Sequence, residues 1–317
     1  DVQQFAASIG LAVTPVDISR CPSHDLADLH IWEDVIASAT TGYFDLVMMS
    51  FPCSTFSVAR DAPGGPPPLR GPHGKEFCGL KGLTPKQNEQ VRPGTLHATR
   101  CAEMATLCED LGIPWIVEQP LIREGKVSAF HLPEWIRVRK RPGVFEVDLD
   151  QCMFADLPPR PARKTYRKGT TLVGNLDLRG LLRTCSCPER MWTIHVGSSF
   201  TTSSGTVVQT PPGRKYKAPH PPLLGRVEAM PVGESAPSGY SRGFLTKRTV
   251  HYPAELMWQI VGTLALESCR RHDLPRSEHL TVDEWHPCGE AGAASEWTWM
   301  VASAQREDAA LRRAAAP

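Results

Sequence analysis

The 317-residue sequence contains no Gly-x-Gly, despite its 25 glycines. A glycine-rich turn between a strand and a helix is the usual cradle for a dinucleotide, so these residues supply no such loop. No apolar run reaches the roughly 18 residues that a transmembrane helix needs, and no stretch has the pattern of a secretory signal. Excess charge is also missing. Lys and Arg number 35 and Asp and Glu 34, a net charge of +1. Contact with a polyanion would therefore have to come from local basic patches rather than a global field. The 10 cysteines lack the short spacings of a disulfide framework. That favours free thiols in a reducing, nuclear or cytoplasmic compartment over secretion. Proline, by contrast, is abundant at 29 residues and clustered. The remaining composition, 41% apolar and 22% charged, is that of a globular chain with room for one large or two small domains.

The most informative stretch is Asp45–Arg60. Its unbroken apolar run Leu46–Met49 predicts a strand covered on both faces, as in a parallel sheet. The run breaks at Pro52 and presents Cys53. In open α/β sheets chemistry sits just past the carboxyl ends of strands, so Cys53 is a candidate nucleophile. A second unit follows, Pro114-Trp115-Ile116-Val117 running into Glu118-Gln119-Pro120, which puts a carboxylate at a strand end 65 residues after the thiol. A lone cysteine most often packs as a small hydrophobe; the matched carboxylate changes that reading.

Phe51-Pro52-Cys53 with Glu118-Gln119-Pro120 resembles the DNA (cytosine-5) methyltransferases. The family carries a Pro-Cys loop after one strand and Glu-Asn-Val or Glu-Asn-Pro after the next. Ser54-Thr55-Phe56-Ser57-Val58-Ala59-Arg60, followed by Gly64-Gly65-Pro66-Pro67-Pro68-Leu69-Arg70, is similar to the phage-type and mobile-element-type branch. The resemblance spans roughly residues 5–265 and implies an α/β, class I (Rossmann-like) S-adenosylmethionine-dependent methyltransferase fold. In such an enzyme a cysteine thiolate adds to C6 of cytosine, making C5 nucleophilic. An acid at ring N3 neutralises the developing charge, and the base is flipped out of its duplex.

Carried onto this sequence, the resemblance makes Cys53 the nucleophile and Glu118 the acid. Arg167 is the first choice for the arginine at the cytosine carbonyl, with Arg163 second. It implies S-adenosyl-L-methionine as cofactor, held by Asp17, Asp25, Pro52 and Tyr252. Two of these keep a plainer reading: Asp17 as a strand-end turn residue, Asp25 as a helix cap or first-turn acid. DNA is the implied partner, with RNA left open and no membrane. Its contacts would be Arg60, Arg70, Arg163, Lys164 and Lys168, or Arg60 is simply a solvated arginine. The densest basic footprint is 160–168, around Tyr166.

Val2–Gly10 reads as a helix and Leu11–Val16 as a strand. The first strand of the fold and its glycine loop would thus precede residue 1, so the expectation is an N-terminally truncated catalytic domain over 1–200. Residues 62–93 read as a long Gly/Pro-rich loop, and a helix is expected over Thr95–Leu111. Gln119 stands where the family has Asn, and the longer amide predicts a looser cysteine loop. The Ser/Thr/Gly/Pro-rich interval 201–250 reads as a loop or a reduced target-recognition region, 251–271 as the closing helix, and 272–317 as a disordered tail. Cys185-x-Cys187 with His195 is not a standard zinc spacing and lacks an evident fourth ligand, so no metal is assigned. An alternative makes the chain a catalytically decayed, mobile-element-derived nucleic-acid-binding module of a larger polyprotein.

Overall fold

The computed structural model describes Ala6 and residues 11–18, 21–61, 66–154, 167–196, 198–201, 207–210, 213, 215–220, 228–231, 252–271 and 299–304. Its main body is a mixed α/β structure around one six-stranded sheet of order β1-β11-β2-β3-β5-β4. The strands are β1 (Leu11–Pro15), β2 (Leu46–Met49), β3 (Trp115–Pro120), β4 (Phe145–Asp150), β5 (Gly169–Gly174) and β11 (Trp299–Ala304). The strands β2 and β3 pair in parallel, with Met49 opposite Val117. Both β1 and β2 pair antiparallel with β11, so β1, β2 and β3 run in one direction and end at one edge. On the other side β5 pairs antiparallel with β3, and β4 antiparallel with β5.

The apolar run of β2 behaves as its composition predicts. All of Leu46–Met49 is buried. Alternate residues face opposite cores. Val47, Met49 and Val117 pack with residues of α1 (Leu29–Thr40), α2 (Pro85–Leu111) and α3 (Pro133–Arg139), among them Trp32, Met104 and Trp135. Leu46, Met48, Ile116 and Leu172 pack instead against α4 (Ala254–Arg271), through Leu256, Ile260 and Leu264. Helices thus cover both faces. Among the described residues no helix is long and apolar enough to cross a membrane.

Three expectations are corrected. The long helix starts at Pro85, ten residues earlier than its apolar spacing suggested. Its start is a capping box: the Thr84 side chain accepts from the Gln87 N–H and Gln87 reaches back to the Thr84 N–H, with Pro85 in the first turn. Residues 201–250 are not all loop. A three-stranded sheet joins β6 (Arg190–Val196), β9 (Lys215–Ala218) and β10 (Glu228–Pro231), and β7 (Ser198–Thr201) pairs with β8 (Val207–Thr210). Nor is 272–317 without structure. Trp299–Ala304 is a strand between β1 and β2, because its short apolar run meets the backbone hydrogen-bonding groups of both neighbours.

Candidate active site

The shared edge of β1, β2 and β3 carries Asp17, Cys53 and Glu118, each just past or near its strand's carboxyl end. One step beyond the Met49–Val117 pair, Ser50 and Glu118 are neighbours across β2 and β3. The hydroxyl of Tyr252, immediately before α4, interacts with Glu118 and Ser50 and lies close enough to Cys53 to feel its charge. Burial, then the neighbouring carboxylate, pushes the Tyr252 hydroxyl well above the usual tyrosine range, so it stays protonated at neutral pH.

The Glu118 side chain is only 5% exposed, and a carboxylate so buried needs partners. Lys168 Nζ stands 3.7 Å from Glu118 Oε1 and 4.3 Å from the centre of the Tyr252 ring. The Thr170 hydroxyl donates to Glu118 at 3.4 Å. Antiparallel pairing of β3 with β5 brings Lys168 and Thr170 there, by setting Thr170 opposite Pro120.

The cysteine loop is a built object. The Phe56 N–H donates to the Cys53 carbonyl at 2.9 Å, closing a turn. Gln119 Nε2 donates to the Phe51 carbonyl at 2.9 Å, from a side chain 1% exposed. The longer amide therefore keeps the two strand ends tied, contrary to the looser loop expected for it; its Oε1 finds no donor among the described residues. Phe51 is in turn stacked on Trp135, centroids 6.0 Å apart. Gly94, inside α2, lets that helix reach the loop: a Cβ there would meet Thr55 Oγ1 at 2.9 Å and Arg70 Nη2 at 3.1 Å. Replacing Gln119 with Ala is expected to cost about 1–3 kcal/mol, the price of an unpaired buried carbonyl. Urea unfolding would report that loss, and Cys53 would alkylate faster. Unchanged stability together with an unchanged alkylation rate would contradict the tie.

Two of the three arginines expected at nucleic acid, Arg60 and Arg70, hold the cysteine loop. Arg70 is 2% exposed, and it donates to the Thr55 and Thr95 hydroxyls and to the Phe77 and Val91 carbonyls. Its guanidinium lies 3.7 Å from the centre of the Phe56 ring, and burial pulls its pKa down to about 10. Buried and with four of its five N–H donors engaged, Arg70 is corrected from phosphate contact to loop support. Arg60 is half-buried and donates to the Ser54 carbonyl at 2.6 Å and the Pro67 carbonyl at 2.9 Å.

Other candidates disperse. Arg167 pairs with Asp150 at 2.8 Å, and the cation that reaches Glu118 is its neighbour Lys168. Asp25 Oδ1 accepts from the Ala27 N–H at 2.9 Å, a turn role, while Asp28 caps α1 through the His30 N–H. Asp17 is buried at 5% exposure, and its carbonyl accepts from the Cys21 N–H in the turn that follows β1. Pro52 is partly buried beside Cys53. Arg163 and Lys164 lie outside the described residues.

A second cluster was missed. The ligand atoms of Cys152, Cys185, Cys187 and His220 all lie within 4.8 Å of one another. His195, the histidine weighed beside the Cys-x-Cys pair, is on β6, and its side chain lies outside the described residues. Sequence offset could not reveal His220, since the four ligands come from three separated segments. Compared with protein-family models, curated proteins and solved structures, the chain matches none.

Proposed function

We propose that the chain is a class I methyltransferase-like domain that methylates cytosine C5 in DNA. The observation that carries this reading is the convergence of Cys53 and Glu118 on Tyr252, at the carboxyl edge of two adjacent parallel strands. The sheet order supports it. In a doubly wound sheet of order 3-2-1-4-5-6, the first strand lies between the second and the fourth. Here β1 and β2 flank one such slot, which β11 fills in the opposite direction.

In this mechanism the Cys53 sulfur adds to C6 of an extruded cytosine, and the C5–C6 π electrons move to C5. Glu118 donates a proton to ring N3, so the ring gains no net negative charge. Lys168, Thr170 and Tyr252 receive the resulting carboxylate without waiting for water to reorganise. Once C5 is methylated, water takes the proton from C5; the C–H electrons rebuild the C5–C6 double bond, the Cys53 sulfur leaves with its bonding pair as thiolate, and N3 returns its proton to the Glu118 carboxylate. S-adenosyl-L-methionine, when bound, supplies the electrophilic methyl that C5 takes up. Asp17 fits such a cofactor by donor chemistry: it is a carboxylate at the end of a strand parallel to β2, at the same edge as the thiol, where ribose hydroxyls are gripped in nucleotide-binding α/β folds.

The test is transfer of a labelled methyl group from S-adenosyl-L-methionine to DNA and RNA in parallel. Label on C5 of DNA cytosine supports the reading. Label on neither polymer, with no protein–DNA adduct, overturns it. The reversed direction of β11 favours a second reading, a decayed module that binds DNA without turnover; binding without methyl transfer or adduct would select it.

A further inference from the structure

The structure assigns a zinc site to Cys152, Cys185, Cys187 and His220, a site independent of the cytosine chemistry. Cys152 sits in the short turn Gln151–Met153 that follows β4. Cys185 and Cys187 belong to the segment that leads into β6, and His220 follows β9 by two residues. Cys185 Sγ and His220 Nε2 stand 3.1 Å apart, and no two of the four ligand atoms are separated by more than 4.8 Å. A tetrahedron with Zn–S of about 2.3 Å and Zn–N of about 2.1 Å has S···S edges of about 3.8 Å and S···N edges of about 3.6 Å. The cage is therefore close to tetrahedral dimensions already. Three thiols and one imidazole suit a borderline-soft d10 cation rather than magnesium or calcium. With four protein ligands there is no open position, so the site is structural.

Its surroundings are those of a metal centre. The Cys185 N–H donates to Asp150 Oδ2 at 2.9 Å, which fixes the backbone of the Cys-x-Cys arm. Arg183, just before that arm, donates to the Glu255 carboxylate at 2.5 Å and lies 4.5 Å from the centre of the Phe154 ring. The arm is thus anchored to the main body, and His220 comes from the small sheet. Among the described side chains of that sheet, Trp192 is the large apolar one that is buried. A metal held by all four ligands would tether the segment after β9 to the turn after β4. Asp150 holds the Cys185 N–H with one oxygen and Arg167 with the other.

The experiment is metal analysis of the full chain, expressed with zinc and purified under a reducing agent. The expected result is close to one zinc per chain. It should fall at least tenfold in Cys152→Ser and in His220→Ala, and be kept in Cys78→Ser, which removes an exposed thiol elsewhere. Where the site variants fail to fold, the wild-type chain loaded with cobalt(II) decides. Three thiolates give a strong near-ultraviolet sulfur-to-cobalt band and intense tetrahedral bands in the visible. Zinc below a tenth of an equivalent, a full equivalent retained in both site variants, cobalt without thiolate bands, or a disulfide between Cys185 and Cys187 under reducing purification would each overturn the assignment.

Discussion

Cys53→Ser is expected to lower methyl transfer by at least about a thousandfold, the scale of loss when a covalent nucleophile is removed. It should also abolish the stable adduct with DNA carrying 5-fluorocytosine. The fluorine cannot leave C5 as a proton does, so the wild-type sulfur stays bonded to C6 and the complex survives denaturation. A hydroxyl is a far weaker nucleophile than a thiol at neutral pH, since an ordinary cysteine is a few per cent thiolate there and a serine is essentially un-ionised. Fold should be untouched: Cys53 is partly exposed in a turn, serine is close to it in size, and Gln119, Arg60 and Arg70 hold the loop. The measurement is a denaturing gel of protein mixed with fluorinated DNA and S-adenosyl-L-methionine. An adduct that persists in Cys53→Ser would show that another group does the chemistry.

Where the sequence was legible, it was legible for local reasons. The run Leu46–Met49 could only be a doubly covered strand, and it is. The Tyr252-Pro253 start and the apolar spacing after it predicted α4, which begins at Ala254. The edge that gathers Cys53 and Glu118 follows from two strands that each end in a reactive side chain. What escaped depends on pairing over distance. Lys168 was read as a nucleic-acid contact; it meets Glu118 because β5 returns antiparallel along β3, a register the sequence does not print. Arg70 sat in a Gly/Pro-rich stretch and so read as surface, yet its planar set of donors satisfies two hydroxyls and two carbonyls at once. Thr84-Pro85-Lys86-Gln87 carried a start signal that proline-rich flanks obscured. His220 was invisible because a ligand set drawn from three segments has no spacing rule.

Glu118→Gln tests the other half of the pair and separates chemistry from architecture. The amide matches the carboxyl in shape, so Lys168, Thr170 and Tyr252 keep a partner of the same size, and folding should change little. The amide cannot give up a proton to N3 as a carboxylic acid can, so charge that develops on the ring goes unneutralised. Loss of a positioned general acid is worth about a hundredfold to ten-thousandfold. Adduct formation with fluorinated DNA should slow by that range, while alkylation of Cys53 by iodoacetamide keeps its wild-type rate, because the thiol's own surroundings are intact. That split is the signature of an acid acting on the substrate. Slowing of both reactions together would mean that Glu118 supports the cysteine loop instead, through Tyr252 and Ser50. Adduct formation at the wild-type rate would remove Glu118 from the chemistry altogether. Lys168→Met then ranks the surrounding groups. If the cation steadies the carboxylate left behind by proton donation, its loss should slow adduct formation in the wild-type background. The same change should do much less in the Glu118→Gln background, where no carboxylate forms.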